Sequence, residues 1–383
     1  MYTAIIIVTT LLLAVYAVLI LQYRSWFLRL RPFEPAPAPG TPTRFSIIIP
    51  ARNEEGQIGN CLASIFGQSY PGTHFEVIIV NDYSTDRTEA VIKAWQEQHA
   101  NLYLINMADH VEPNALNSYK KKALELAIAT SSGEWVVTTD ADCQAKPGWL
   151  SLLDAYIRQY QPVFVAAPVM FTTKGSFLDT FQLLDFISLQ GITAAAVSAG
   201  FHTMCNGANL AYRKDVFYAV DGFKGIDGLA SGDDMFLMHK IKQLYPDRMG
   251  YLFAQGAIMA TAPMADWRSF INQRIRWASK ADAYQDRGIF RTLALVYALN
   301  ACLFLWLVGS LFFTGGGWVP WLIFIAIKTL VELSFMIPVS KFYGHLPAMY
   351  WFLPMQPFHI TYTVVAGWLG KFGSYQWKGR KVQ

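Results

Sequence analysis

Hydrophobic positions along the chain follow two patterns. In residues 44–265 apolar runs are short, β-branched and closed by turn residues, whereas the flanking regions hold long, nearly unbroken apolar segments. Phe45 to Pro50 predicts a buried first strand, stopped by proline and followed by a loop from Ala51 to Glu55. From Glu55 to Gln68, Ile58, Leu62, Ile65 and Phe66 recur at helical spacing, and Tyr70, Pro71 and Gly72 close the segment. A second strand, Glu76 to Val80, ends in Asn81, Asp82, Tyr83, Ser84, Thr85 and Asp86, and a polar helix is expected from Arg87. Leu102 to Ile105 reads as a third strand, and about Lys120 to Ala129 as a helix.

The run from Trp135 to Cys143 reads as a fourth strand that delivers Asp140 and Asp142 to its end. Strand alternating with helix is the grammar of a doubly wound α/β domain with a mostly parallel sheet. Ligands of such sheets bind outside the carboxyl ends of the strands, where Asp82, Asp140 and Asp142 are all expected. Two acids at a rigid strand end suit a divalent cation that bridges phosphate oxygens. A solvated Asp-rich turn, or a helix cap for Asp82, would also account for each acid alone.

The second half of this region is less regular. Val163 to Pro168 suggests a strand, Met204 to Arg213 a glycine-marked turn entering a strand, and Asp233 with Asp234 the start of a helix. Adjacent positions at a helix start point in different directions, so one acid of that pair is expected to face a cleft and the other to cap the helix. Residues 266–291 hold an amphipathic helix, strongest from Asp266 to Lys280, with Trp267, Phe270, Ile271 and Trp277 on its apolar side. Its Gln273, Arg276 and Trp277 adjoin on one face, and its basic residues, Arg274 among them, are expected at lipid headgroups.

The outer segments concern a membrane. Ala4 to Leu21 is apolar, and Arg24, Arg29 and Arg31 follow it, an order that fits an uncleaved anchor over residues 1–24 rather than a signal peptide. The positive-inside rule puts the following domain in the cytoplasm, at the inner membrane, beyond a linker over 25–43 stiffened by Pro32, Pro35, Pro37, Pro39 and Pro42. Residues 292–370 predict two or three spans: Thr292 to Phe313, Trp318 to Pro338 with Lys328 and Glu332 inside it, and the proline-broken Leu346 to Gly370. Four full crossings would leave the tail, residues 371–383 with Lys371, Lys378, Arg380 and Lys381, on the far side. One of the last two segments is therefore expected not to cross.

Composition agrees with that division. The 383 residues are 53% hydrophobic and 15% charged, more apolar than a soluble core of this size requires. A net charge of +4 is too small to point to nucleic acid and suits a membrane surface. Cys61, Cys143, Cys205 and Cys302 show no paired spacing and are expected as reduced thiols. The absence of G-x-G-x-x-G after the first strand argues against a dinucleotide-binding dehydrogenase.

Taken together, the motifs resemble those of membrane-bound family-2 glycosyltransferases, whose catalytic domain has the GT-A fold. The resemblance runs from about Phe45 to Trp277. Pro50, Ala51, Arg52, Asn53 and Glu54 are similar to the family's first nucleotide loop, and Asp82 with Asp86 to its second. Lys120 and Lys121 resemble a basic donor motif, and Asp140-Ala141-Asp142 the D-x-D metal motif, where Asp140 also faces the donor. Gly207 to Arg213 resembles the acceptor-side turn, and Gln273, Arg276 and Trp277 satisfy Q-x-x-R-W. Asp233 and Asp234 align with the segment carrying the general base, which makes Asp234 the expected base, with Asp233 the other candidate.

The resemblance implies an inverting transfer from a nucleotide-sugar, a UDP-sugar favoured, with Mg²⁺ or Mn²⁺ at Asp140 and Asp142. It also implies that Arg276 offsets charge on the departing diphosphate while Trp277 packs near the acceptor. Attachment at both ends favours a membrane lipid or lipid-linked glycan as acceptor, in a single transfer; a processive or short-chain polysaccharide synthase and a silent nucleotide-sugar-binding scaffold are the alternatives.

Overall fold

The structure, a computed structural model, describes residues 2–36, 40–112, 116–229, 231–280, 286–312, 318–372, 375–377 and 380–382. Pro37, Pro39, Lys378 and Phe313 of the sequence expectations lie outside the described residues. In chain order the elements begin α1 (Tyr2–Arg29), β1 (Phe45–Ala51), α2 (Ile58–Phe66), β2 (Phe75–Asn81), α3 (Thr88–Gln96) and β3 (Leu102–Asn106). They continue α4 (Tyr119–Thr130), β4 (Trp135–Thr138), α5 (Trp149–Tyr160), β5 (Phe164–Ala166), β6 (Val169–Phe171) and α6 (Phe177–Ser198). After these come β7 (Leu210–Arg213), α7 (Lys214–Ala219), α8 (Asp233–Leu244), β8 (Met249–Tyr251) and β9 (Met259–Thr261). The last helices are α9 (Trp267–Ala278), α10 (Arg287–Phe312), α11 (Trp318–Phe342) and α12 (Phe352–Phe372).

The chain divides into two compact units. One, built from 31–172 and 203–262 with the last residues of the chain, holds a seven-stranded sheet in the order β3-β2-β1-β4-β7-β5-β8. Strands β1 to β4 are parallel to their sheet neighbours among themselves, and β7 runs antiparallel to both β4 and β5. Ile47, Ile48, Ile49, Val77, Ile79, Val136 and Val137 are buried, as expected of central strands covered by helices on both faces. The mostly parallel α/β sheet has the expected GT-A character, and its register brings Ala51 opposite Asn81 and Ile48 opposite Thr138. The carboxyl ends of β1, β2 and β4 therefore open at one edge. A separate parallel pair, β6 with β9, joins residues 169–171 to 259–261.

The other unit comprises 1–30, 173–202 and 263–376, and it is helical through α1, α6 and α9 to α12. Four helices among the described residues are long and apolar enough to cross a membrane: Thr3–Arg29, Phe177–Ser198, Arg287–Ser310 and Trp318–Phe342. The second of these, α6, has no counterpart in the sequence expectations. Its apolar residues surround Thr180, Gln182, Asp185 and Gln190 on every side, so neither a clean amphipathic stripe nor an unbroken apolar run marks it. Where the sequence expected Leu346 to Gly370 to be broken or re-entrant, Leu346–Trp351 is a 3₁₀ turn that runs directly into α12, a single helix with Pro357 inside it.

Lys328 and Glu332, one turn apart on α11, form an ion pair at 2.7 Å. Gln356 of α12 accepts from Lys328 Nζ at 2.9 Å and donates to Glu332 Oε2 at 2.6 Å, and Tyr16 of α1 donates to Glu332 Oε1 at 2.5 Å. Burying both charges among apolar helices is tolerable because each finds several partners.

Candidate active site

The loops leaving β1 and β2 are laced together. Asp82 N donates to Ala51 O at 2.8 Å, and Arg52 Nη1 donates to the carbonyls of Asp82 at 2.8 Å and Tyr83 at 3.2 Å. Asn53 N donates to Ser84 Oγ, Asn53 Oδ1 accepts from Thr85 N at 2.8 Å, and Glu54 N donates to Thr88 Oγ1 at 2.7 Å. Asn53 and Tyr83 both take left-handed backbone conformations, φ 51° and 52°, which asparagine tolerates better than most residues. Asp82 is buried at the edge of the sheet.

Asp86 spends its carboxylate on the scaffold: one oxygen accepts from Thr88 N and Oγ1, the other from Glu55 N. The slight burial of Asp86 opposes its charge, but these bonds outweigh it and hold the carboxyl below its ordinary range. Asp86 thus organises the loop that the sequence assigned to donor binding.

The strand expected to reach the two acids stops sooner, because β4 ends at Thr138. Thr139 still donates to Ile48 O at 3.3 Å, but Asp140 to Cys143 form a turn, closed by Cys143 N donating to Asp140 O at 3.1 Å. Gln144 pairs with Ala260 of β9 through backbone bonds in both directions, which pins the far side of that turn. Thr261 donates to Asp142 Oδ2 at 3.2 Å and the Cys143 thiol to Asp142 Oδ1 at 3.7 Å.

Asp140, Asp142 and Cys143 offer donor atoms that all lie within 4.8 Å of one another. Without a bound ion, burial and then the charges of Asp142 and Asp140 push the Cys143 thiol well up, which leaves the two carboxylates as the charged groups of the cluster. Two hard oxygen ligands with the remaining positions open suit Mg²⁺ or Mn²⁺ rather than a thiophilic ion.

Lys120 and Lys121, adjacent on α4, diverge. Lys120 Nζ sits 2.8 Å from Asp140 Oδ1 and 3.5 Å from Asp233 Oδ2. Burial disfavours its charge, but Asp140, Asp233 and Asp234 outweigh that cost and raise its pKa above the ordinary lysine value. Lys121 departs from the donor-binding expectation: it is 2% exposed and donates to the carbonyls of Leu229 and Ser231. It tethers the loop ahead of α8 instead, because the next residue on a helix points about 100° away from Lys120.

At the start of α8 the expectation that only one acid faces the cleft also needs correction. Gly232 adopts φ 83° just before the helix, and Asp233 and Asp234 both approach Gly207. Gly207 N donates to Asp234 Oδ2 at 3.1 Å, while Asp234 Oδ1 accepts from Met235 N at 2.8 Å. A Cβ at Gly207 would stand 3.3 Å from Lys120 Nζ and 3.4 Å from Asp233 Oδ2. A methyl there would press slightly on the Lys120 ammonium and touch the two acids, so the three side chains close around this glycine with little room to spare.

The turn is braced from behind. Thr138 Oγ1 donates to Gly207 O at 2.8 Å, and the Asn209 amide donates to Pro168 O and Ala257 O while accepting from Trp149 Nε1 at 3.0 Å. Sequence reasoning did not single out Thr138 or Trp149 for this purpose; a polar side chain at the end of an otherwise apolar strand was the available signal. The arrangement places two carboxylates for a cation, a cation of the chain's own, and a further pair of carboxylates in one continuous cluster.

Residues 46–220 match the model of glycosyl transferase family 2. The chain carries a family-2 glycosyltransferase domain. It is 26% identical over 240 residues to the probable glycosyltransferase YdaM of Bacillus subtilis, covering 61% of this chain and 54% of YdaM. It therefore spans about half the length of that relative. An N-acetylglucosaminyltransferase of Rhizobium meliloti is 25% identical over 313 residues, 76% of this chain and 70% of that protein. Among solved structures, mannosyltransferase PcManGT of Pyrobaculum calidifontis, in complex with GDP-Man and Mn²⁺, matches in fold with a TM-score of 0.63 at 19% identity. The match covers 96% of this chain and 99% of that one.

In the helical unit, Asp266 caps α9 by accepting from Ser269 N at 2.8 Å, as an aspartate at that position should. Gln273, Arg276 and Trp277 are each half-buried on that helix. Arg274 departs from the expectation of headgroup-facing basic residues. It is 4% exposed and paired with Asp185 of α6 at 2.6 Å.

Proposed function

We propose that this family-2 glycosyltransferase moves a sugar from a nucleotide-sugar to a membrane lipid or lipid-linked acceptor in a single inverting transfer. The observation that carries the reading is the cluster at the carboxyl edge of the sheet, in which Asp140, Lys120, Asp233 and Asp234 converge around Gly207. In it the nucleotide is held by the laced loops of Arg52, Asn53, Glu54 and Asp82, with Pro50 and Ala51 shaping their exit from β1. A divalent cation on Asp140 and Asp142 supplies charge neutralisation of the diphosphate, and Mn²⁺ or Mg²⁺ suits those ligands.

Asp234 takes the acceptor proton. Its two backbone N–H partners fix the direction of the carboxylate without removing its remaining lone pairs. Asp233, buried beside Lys120, is the poorer base because a cation already shares its oxygen. Gln273, Arg276 and Trp277 serve the leaving diphosphate and the acceptor. Four long apolar helices support a multi-pass place in the inner membrane with the catalytic domain in the cytoplasm, and hence an acceptor presented from lipid.

The test is a panel of UDP- and GDP-sugars offered to the full chain with Mn²⁺ and extracted membrane lipid, followed by product analysis. One glycosylated lipid and loss of turnover in Asp234→Asn support the proposal. A ladder of oligosaccharides would reject the single transfer, and an unaffected Asp234→Asn would reject the base.

A further inference from the structure

Arg274 lies inside the Q-x-x-R-W segment at a position the motif leaves open, yet it is buried and firmly held. Its Nε and Nη2 donate to one oxygen of Asp185, at 2.9 and 2.6 Å. Its Nη1 donates to Gln273 Oε1 at 2.5 Å, and its guanidinium carbon stands 4.5 Å from the Phe270 ring centre and 4.3 Å from that of Trp277. Side chains of both members of the ion pair are nearly inaccessible, at 4% and 3%.

Asp185 is itself fixed from a second direction. Its other oxygen accepts the Tyr362 hydroxyl and lies 3.9 Å from His359 Nε2. Gln356, His359 and Tyr362 recur at intervals of three and so share one face of α12, a polar stripe in an otherwise apolar helix. Gln356 ties that stripe to the Lys328–Glu332 pair.

We propose that Asp185 and Arg274 are positioning residues that fix the side chains of Gln273 and Trp277 for the acceptor side of the transfer. The planar guanidinium offers several donors in one rigid fork, so binding it to Asp185 fixes its plane as well as its place. With that plane fixed, the face against Trp277 and the donor aimed at Gln273 are fixed too. A lysine at position 274 keeps the charge but presents neither a plane nor parallel donors. The inference rests on the proposed transferase activity.

The experiment uses the full chain in lipid nanodiscs and the variants Arg274→Lys, Asp185→Asn and the milder Tyr362→Phe. Transfer to lipid is measured beside hydrolysis of the same nucleotide-sugar by water. Misplaced acceptor-side groups should lower transfer by about tenfold or more in the first two variants. Hydrolysis and nucleotide affinity should stay near the parent values, and Tyr362→Phe should shift the ratio in the same direction by less. Transfer and hydrolysis falling together would mark a purely structural pair and overturn the proposal, as would a parent-like ratio in Arg274→Lys.

A second readout needs no turnover. The ¹⁹F resonance of 5-fluorotryptophan at Trp277, assigned by its loss in Trp277→Phe, should move in Asp185→Asn. An unmoved resonance overturns the positioning role. A parent chain that turns over no donor rejects the proposed function instead, and leaves the resonance to decide the positioning.

Discussion

Lys120 Nζ lies 2.8 Å from Asp140 Oδ1, a carboxylate oxygen of the cluster with Asp142. A divalent cation held there, as proposed above, would compete with the ion pair. The two side chains are 24% and 40% exposed, where such a pair contributes about 0.2–1 kcal/mol, so its removal should tighten cation binding by no more than about fivefold. Lys120→Met should lower the Mn²⁺ midpoint measured by calorimetry or by Mn²⁺ electron paramagnetic resonance. An unchanged or weakened midpoint would refute the competition.

Asp234 and Asp233 approach the same glycine in different company. Asp234→Asn keeps the shape but can accept only one of the two backbone N–H bonds, from Gly207 or from Met235, and it removes the proposed proton acceptor. General-base contributions are about 10²–10⁴-fold, so transfer should fall by that order while nucleotide binding stays. Asp233→Asn deprives Lys120 of one partner and should cost less in rate. Comparable losses in both variants, measured as nucleoside diphosphate release, would show that the base is not Asp234 alone.

How far the sequence could be read depended on what each residue's partner was. Strands β1, β2 and β3 and helix α4 fall within a residue or two of the positions expected from apolar runs, because their burial is local to the run. The convergence at Gly207 was not readable in the same way: it joins residue 120 to residues 207, 233 and 234, and a helix-direction argument applied to Asp233 and Asp234 alone points them apart. Arg274 looked like a surface cation for the same reason, since its partner Asp185 sits 89 residues away in a helix the pattern did not reveal. The paired strands β6 and β9 have three residues each, too few for alternation to register.

Asp86 accepts from Thr88 at the start of α3 and steadies the first loop through Glu55 N. Asp86→Ala should destabilise the sheet-bearing unit by about 1 kcal/mol, the usual net worth of such hydrogen bonds. The pH dependence has a definite sign. A carboxyl held below its ordinary value of 3.8 contributes fully above that value, and the contribution is lost as pH falls through the lower folded value. Melting curves of parent and Asp86→Ala should therefore differ at pH 6 and converge towards pH 3. A constant gap would mean that the Asp86 bonds act without its charge.

Lys328 is wholly buried in α11, and its charge is met by Glu332 and Gln356. Removing one member of a buried pair leaves the other uncompensated, which costs about 3–5 kcal/mol, whereas replacing both by apolar groups is often neutral. Lys328→Met alone should sharply lower the thermal midpoint in detergent or nanodiscs, because Glu332 would keep its bonds from Tyr16 and the Gln356 amide but lose its paired cation. The double variant Lys328→Met with Glu332→Leu should recover most of that loss, at the expense of leaving the Gln356 amide and Tyr16 hydroxyl to find other acceptors. Equal destabilisation in the single and double variants would show that the hydrogen-bond network, rather than charge pairing, holds α1, α11 and α12 together.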